Sequence, residues 1–246
     1  MAYQIEVCID NLESLPIAIA GGATRIELCS SLELGGLTPS FGLMRMAAKL
    51  STIPVYAMIR PRQGDFLFSQ ADLEQMLFDI DAAKQAGLDG IVIGAMTPDG
   101  DIDTDLCQQL IERADGLGIT FHRAIDQCRH PQQALEEIIQ LGCERVLTSG
   151  LAASAELGMD QIAQFVTQAN GRISIMAGAG VSAQNALNIA QTTQVDEIHL
   201  SAKSTRPSQM AYIAEDAHMG NQSCDDFAIP VTSLERLRQV TESLNK

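Results

Sequence analysis

The chain has 246 residues, of which 46% are hydrophobic, and a formal net charge of −15. This length and hydrophobic content suffice for one α/β domain with a full core. The acidic charge, without a Lys/Arg cluster, argues against nucleic acid and anionic membrane surfaces as partners. No apolar run reaches the roughly 18 residues of a membrane span, and the first residues lack the basic and apolar regions of a secretion signal. We therefore expect a cytoplasmic protein.

Short apolar runs alternate with amphipathic stretches along the whole chain. The apolar runs predict eight strands, at residues 4–8, 25–29, 54–59, 90–94, 119–123, 145–148, 173–177 and 197–200. Capping residues predict helices that start at Asp10, Thr38, Ser69, Pro131 and Thr232, and periodicity predicts others at 104–114, 155–169 and 183–191.

Eight strand–helix units in a chain of this length predict a closed (β/α)₈ TIM barrel, which has no sheet edges, in preference to an open doubly wound sheet. We expect a single domain over residues 1–246, with the eight strands within about 4–201 and an irregular segment and a final helix over 202–246. The irregular part, residues 204–229, is expected to lie across one end of the barrel.

Alternation within the strands predicts which side chains face the barrel axis. Residues two apart share a face of a strand, and the aliphatic faces are expected to pack against the surrounding helices. The polar faces then place six side chains in the lumen: Glu6, Glu27, Arg60, His122, Glu197 and His199. Unpaired buried charge is costly, so this set indicates either an ion-pair network around Arg60 without a ligand or a functional site at the C-terminal mouth. A scaffold that only dimerises would not need a polar lumen.

One chemistry for such a mouth is the binding of a small anion. Backbone N–H groups and glycines after the seventh and eighth strands often hold phosphate in barrels. The candidate anion-binding residues are Arg62, Ser149, Gly178, Gly180, Ser201 and Lys203. The alternative is that the glycines only fit tight turns.

A second chemistry is proton transfer. An imidazole titrates near neutrality, so His122 and Glu27 would exchange protons with a substrate while Arg60 holds its negative charge. This interpretation predicts an enzyme that acts on a small anionic or phosphorylated metabolite. The alternative is that His122 has a structural role.

A third chemistry is Cu(I) binding by Cys8 and Cys29. Both are predicted on adjacent strands at equivalent height, one layer nearer the mouth than Glu6 and Glu27, and two soft thiolates suit Cu(I). Buried thiols also occur simply as small apolar residues. The remaining cysteines indicate no site, because no CxxC pair is present: Cys107, Cys128, Cys143 and Cys224.

Six segments, spread along nearly the whole chain, match a known family. They are Glu-Val-Cys at 6–8, Arg-Ile-Glu-Leu-Cys at 25–29, Gly-Gly-Leu-Thr-Pro-Ser at 35–40, Ile-Arg-Pro-Arg with Gly-Asp-Phe at 59–66, Thr-Phe-His-Arg-Ala at 120–124 and Arg-Val-Leu-Thr-Ser-Gly at 145–150. On these segments the sequence resembles the CutC family, which is named for copper homeostasis. The resemblance implies a cytoplasmic TIM barrel, often a homo-oligomer, that is linked to copper and contacts it through Cys8 and Cys29. We therefore predict a copper homeostasis protein of the CutC type that binds Cu(I), with the enzyme acting on a small anionic metabolite as the alternative.

Two positions depart from the family pattern. Gln63 stands where the family usually has a glycine before Gly64, and Ile125 replaces the usual phenylalanine after His-Arg-Ala. Both positions are expected in loops at the mouth, where they would change the fit of a substrate.

Overall fold

Eight parallel strands form a closed barrel, as the alternation predicts. The structure is a computed structural model that describes residues 3–213 and 225–245. The barrel strands are β1 (Gln4–Ile9), β2 (Arg25–Leu28), β3 (Val55–Met58), β4 (Gly90–Ile93), β5 (Gly118–Phe121), β6 (Arg145–Thr148), β7 (Ser174–Ala177) and β8 (Glu197–Leu200). Each strand pairs with the next, and β8 closes the barrel on β1 with His199 opposite Glu6. The TIM-barrel prediction is therefore confirmed.

Helices surround the barrel. They are α1 (Ser14–Ala20), α2 (Phe41–Leu50), α3 (Gln70–Ala86), α4 (Thr104–Arg113), α5 (Pro131–Gln140), α6 (Met159–Ala169), α7 (Ala186–Thr193) and α8 (Leu234–Leu244). Short 3₁₀ helices follow β2, at Leu32–Leu34, and β5, at Arg123–Gln127. Ser69 and Asp72 form the predicted capping box of α3, and Gly87 ends that helix with φ 84°.

Two predicted helix starts are wrong because their capping side chains have other partners. Asp10 accepts a backbone N–H from the loop after β2, and α1 begins later, at Ser14. Thr38 accepts the backbone N–H of Arg60, so Ser40 caps α2 instead. The helices α6 and α7 also begin a few residues later than their periodicity predicts.

The segment after β8 is more regular than predicted. Strands β9 (Lys203–Pro207) and β10 (Ala228–Thr232) form a two-stranded antiparallel sheet. Thr232 therefore belongs to a strand, and the side chain of Ser233 caps α8. Asn11, in the loop after β1, donates to the Pro230 carbonyl, which places this small sheet beside the C-terminal end of the barrel. The rest of the predicted irregular segment, residues 214–224, lies outside the described residues.

The aliphatic faces of the strands point toward the helices. Val7, Ile26 and Ile198 are buried in one continuous core together with helix residues such as Leu15 and Met44. A second, smaller apolar cluster lies inside the barrel and consists of Cys29, Tyr56, Met58 and Val92. The lumen is thus divided between this apolar cluster and the polar set that alternation predicts.

Candidate functional site

An ion-pair network occupies the N-terminal half of the lumen, and Arg25 is at its centre. Arg25 Nε donates to Glu6 Oε2, and a terminal nitrogen of Arg25 donates to Glu197 Oε2. Arg145 Nε lies 3.3 Å from the same oxygen of Glu197. A network centred on Arg60 is therefore wrong. Arg25 was missed although it lies on the polar stripe of β2, where alternation alone identifies it.

His199 connects this network to the mouth. Its Nδ1 donates to Glu6 Oε1 at 2.8 Å, and its Nε2 lies 3.8 Å from Glu27 Oε2. Burial opposes a charged ring, but Cys8, Glu27 and Glu6 outweigh burial and hold the pKa of His199 well above its ordinary value. Both ring nitrogens then carry protons at neutral pH.

Burial and charge act in opposite directions on Glu6. Burial alone would raise the pKa of its carboxyl, but the hydrogen bond from His199 and the charge of Arg25 outweigh burial and lower the pKa to about 2. Glu6 is therefore ionised at every physiological pH, and it fixes the orientation of the imidazole.

Cys8, Glu27 and His199 form a group of potential metal ligands. One ligand atom from each lies within 4.8 Å of the other two, and all three side chains are buried. A thiol and an imidazole suit a soft cation such as Cu(I), whereas a carboxylate suits harder ions. Burial raises the pKa of both the Cys8 thiol and the Glu27 carboxyl, so a metal would have to displace a proton to bind Cys8.

Cys29 does not lie at the height of Cys8, and the prediction of equivalent height is wrong. The register of β1 and β2 places Cys8 opposite Glu27, which leaves Cys29 two residues nearer the mouth. Its sulfur lies 3.5 Å from Glu27 Oε2. Burial and the charge of Glu27 raise the pKa of Cys29 well above its ordinary value. A Cu(I) site that uses both thiolates must therefore displace a proton from each sulfur, because burial favours the protonated thiol at Cys8 and at Cys29.

His122 follows β5 at the mouth and is a neutral ring. Its Nδ1 accepts the backbone N–H of Ala124 at 3.2 Å, and its Nε2 is buried without a hydrogen-bond partner among residues 3–213 and 225–245. Burial and the nearby charge of Arg60 lower the pKa of His122 from 6.5 to about 3. Because Nδ1 accepts, the proton of the neutral ring is on Nε2.

Arg60 follows β3 and is held by backbone carbonyls. Its terminal nitrogens donate to Leu34, Gly36 and Gly64 at 2.7–3.3 Å, and its guanidinium lies 4.9 Å from the ring centre of Phe66. Its Nε is buried and has no acceptor in the described part of the chain. No carboxylate forms a salt bridge with Arg60 among the described residues, so its charge is available to a ligand.

These groups surround a cleft of about 760 Å³ at the C-terminal mouth. That volume is within the range of small-molecule sites. Among the described residues, the basic side chains that line it are Arg60, Arg123, Lys203 and Arg236, together with protonated His199, and the one carboxylate in the lining is Glu27. Arg123 is paired with Asp126, and the remaining cations still exceed the carboxylate, which favours an anionic ligand in a chain with a net charge of −15.

The predicted anion-binding residues divide into two groups. Gly180, Ser201 and Lys203 line the cleft. Arg62 instead pairs with Asp65 at 3.0 Å outside it. Ser149 hydrogen-bonds the side chains of the loop after β5, and a Cβ added at Gly178 would meet the His199 side chain inside the barrel.

Two alanines beside the cleft have backbone conformations that alanine rarely adopts. Ala179 has φ 80° and Ala202 has φ 45°, and both line the cleft. Such conformations cost about 1–3 kcal/mol and concentrate at functional sites. The turns after β7 and β8 therefore hold backbone strain, which is typical of a functional site.

Asp126, which the sequence did not assign a partner, organises the turns after β5 and β6. Its carboxylate accepts hydrogen bonds from Arg123, Thr148, Ser149 and the backbone N–H of Leu151. Arg123 is thereby fixed at the rim of the cleft. The position of Arg123 directly after a predicted strand is the sequence feature that could have identified this residue.

The positions that depart from the family pattern have different environments. Gln63 is exposed in the loop after β3, as expected. Ile125 lies in the 3₁₀ helix after β5, as expected near the mouth, but its side chain is fully buried in the main core, so any effect on substrate fit stays a prediction and would be indirect. Five cysteines are free and buried, and Cys224 lies outside the described residues. Within the described ranges, no helix is both long and apolar enough to cross a bilayer.

Comparison with known proteins gives the family. The model of the CutC family matches residues 3–204. The CutC family protein of Vibrio parahaemolyticus serotype O3:K6 is 60% identical over 99% of this chain and 100% of its own length, and that of Photobacterium profundum is 61% identical over 99% and 100%. A solved CutC structure from Streptococcus agalactiae covers 80% of this chain and 97% of its own, with 34% identity and a TM-score of 0.77. The predicted family is thus confirmed, and the chain belongs to the CutC family.

Proposed function

We propose that the barrel mouth binds a small anionic metabolite and transfers protons within it. One observation carries the proposal: three buried polar atoms around the cleft, Glu27 Oε1, Arg60 Nε and His122 Nε2, have no partner among the described residues. Buried polar groups in proteins are almost always paired, with protein, water or ligand. A ligand that offers acceptors to Arg60 and His122 and a donor to Glu27 satisfies all three.

In this proposal each group has a distinct role. Arg60 and Lys203 hold the negative charge, with the backbone of Gly180 beside them. Glu27 takes up the proton, since its pKa is raised by burial and a raised pKa makes a carboxylate a stronger base. His122 acts as a neutral hydrogen-bond donor and does not cycle through its charged form, because its pKa is about 3.

The anion-binding part is tested with inorganic phosphate. A ligand that binds only the folded state stabilises it by about 2.7 kcal/mol when its concentration is 100 times Kd. We expect phosphate to raise the melting temperature relative to chloride at matched ionic strength, and Lys203→Met to reduce that rise. Lys49→Met is the matched control, since Lys49 is exposed in the last turn of α2, at the opposite end of the barrel. An equal rise in all three proteins would contradict the proposal.

Cu(I) binding is the second candidate, favoured by the Cys8, Glu27 and His199 group. The name of the Streptococcus agalactiae relative links that protein to copper homeostasis. A copper site at this level would use Cys8 and His199, with Cys29 approaching from the next layer after losing its proton. Copper would then be either the cargo of the protein or a cofactor bound at the same barrel mouth.

Competition between the protein and a colorimetric Cu(I) chelator tests this candidate. Cys8→Ser and Cys29→Ser are expected to weaken Cu(I) binding at least tenfold. Cys143→Ser is expected to leave it unchanged, because Cys143 lies just before β6, at the end of the barrel opposite the mouth. Equal Cu(I) affinity in the Cys8 variant and the native protein would exclude the site. Location in the cytoplasm and assembly into a homo-oligomer stay predictions.

A further inference from the structure

The ring of His122 is held in one position and one protonation state. Phe66 packs against it with ring centres 4.8 Å apart, and a Cβ added at Gly94 would lie 2.5 Å from two ring atoms. Its Nδ1 is occupied by the backbone N–H of Ala124. His122 lines the cleft and its Nε2 has no partner among the described residues, so a ligand there meets a fixed neutral donor.

Glu27 presents the complementary group. Its Oε2 is engaged by Cys29 at 3.5 Å and by His199 at 3.8 Å, while its Oε1 is buried without a partner in the described residues. Glu27 lies on β2, and His122 follows β5, so the two residues approach the cleft from different sides of the barrel. A ligand between them meets a donor on one side and a base on the other.

We propose that this pair enolises an anionic α-hydroxy carbonyl compound, with the carbonyl oxygen on His122 Nε2 and the adjacent C–H facing Glu27. This inference rests on the proposed function, because it names the substrate class of the same cleft. A neutral imidazole opposite a carboxylate base is an arrangement known to support proton abstraction next to a carbonyl.

The step is balanced without a further reactant. The Glu27 carboxylate takes the proton from the carbon next to the carbonyl, and the C–H electron pair becomes the C=C bond. The carbonyl π pair moves to oxygen, where the His122 N–H and the charge of Arg60 stabilise the enolate. Return of a proton from Glu27 to the same carbon restores the carbonyl compound, and exchange of the Glu27 carboxyl proton with water before that return replaces the C–H hydrogen with one from solvent.

Arg60 stays at the carbonyl end, and the rim fixes the other end of the substrate. Three carbonyls hold the terminal nitrogens of Arg60, so its position does not depend on a ligand. The anionic group of the substrate is expected beside Lys203 and Gly180, which line the same cleft. The compound must therefore be short enough to place its charge at the rim while its carbonyl reaches His122.

The test compares two probes by calorimetry. Phosphoglycolohydroxamate mimics an enediolate, whereas phosphoglycolate has the same phosphate with a carboxylate in place of the hydroxamate, and so lacks the N–H and O–H donors that would face Glu27. Analogues of a transition state bind at least about 10²-fold tighter than ground-state ligands in enzymes. We expect the native protein to prefer the hydroxamate by at least tenfold.

Two variants identify the source of this preference. His122→Phe keeps a ring and removes the N–H, and Glu27→Gln keeps the shape and removes the base. Each is expected to abolish the preference while phosphoglycolate still binds. Two variants on separate strands keep the test valid if one fails to fold, which circular dichroism will show.

The outcomes separate this inference from the proposed function. Equal affinity of both probes in the native protein overturns enolisation while anion binding at the mouth stands. A preference that persists in both folded variants also overturns it, because the discrimination then comes from elsewhere. If neither phosphoglycolate nor inorganic phosphate binds, the proposed function itself fails, and the inference fails with it.

Discussion

Replacement of Arg25 by methionine is expected to remove the centre of the lumen network while retaining most of the side-chain volume. Arg25 bridges Glu6 and Glu197, and the side chain of Glu6 has no solvent exposure. In the variant two carboxylates face each other inside the barrel with less positive charge between them. Loss of one partner from a buried ion pair typically costs about 3–5 kcal/mol.

The pKa of Glu6 agrees in direction with this cost. The hydrogen bond from His199 and the charge of Arg25 together outweigh burial and lower the pKa from 4.5 to about 2, so Arg25 supplies part of the stabilisation of the ionised form. From the lower end of the range for buried ion pairs, we expect Arg25→Met to lower the free energy of unfolding by about 3 kcal/mol at pH 7. For a domain of this size the melting temperature would fall by about 6–12 °C.

The pH dependence has a definite sign. Because the folded-state pKa of Glu6 lies below its unfolded value, the stabilisation is complete above pH 4.5 and is lost as pH falls toward 2. The difference in stability between the native protein and Arg25→Met should accordingly shrink when denaturant unfolding, followed by circular dichroism, is repeated near pH 3.

Arg113→Met is the matched control, because Arg113 forms an ion pair with Asp81 in which both side chains are about half exposed. Exposed ion pairs contribute little to stability because water and salt screen them, so this variant is expected to be nearly as stable as the native protein. If Arg25→Met costs no more than Arg113→Met, the lumen network contributes no more than a surface pair, and the reasoning is refuted.

Three further predictions concern the mouth. The pKa of His122 is lowered from 6.5 to about 3 by folding, so at pH 5 the unfolded chain binds a proton at this residue and the folded chain does not. This difference should reduce the free energy of unfolding at pH 5 by about 2 kcal/mol relative to neutral pH. Denaturation of His122→Phe, which has no titrating ring, should show a weaker decline in stability between pH 7 and pH 5. Gly94→Ala places a methyl group 2.5 Å from the His122 ring, so it is expected to lower the free energy of unfolding by about 1–3 kcal/mol and to weaken phosphate binding. Full native affinity by calorimetry would show that the ring position is unimportant. Asp126→Asn removes the charge that organises the turns after β5 and β6. We expect the free energy of unfolding, measured with denaturant, to fall by about 2–3 kcal/mol and backbone amide hydrogen exchange in these turns to become faster. Unchanged exchange would contradict the assigned role.

The sequence by itself determined the strands, the barrel and the polar stripe. Alternation of apolar and polar residues is a local property, so Glu6, Glu27 and His199 could be assigned to the inner face without knowledge of their partners. The family match also depended on the sequence alone. Helix starts were less secure, because Asp10 and Thr38 are good capping residues that the fold uses for hydrogen bonds to other loops.

Only the tertiary structure decided which of these groups meet. Arg25 and Glu197 are 172 residues apart in sequence, and their contact exists because the barrel closes. The height of Cys8 depends on the register between β1 and β2, which alternation does not specify. The protonation of His122 likewise depends on one backbone N–H and on burial. Register, closure and burial are properties of the packed chain, and they convert a polar stripe into a site with a defined donor, base and charge.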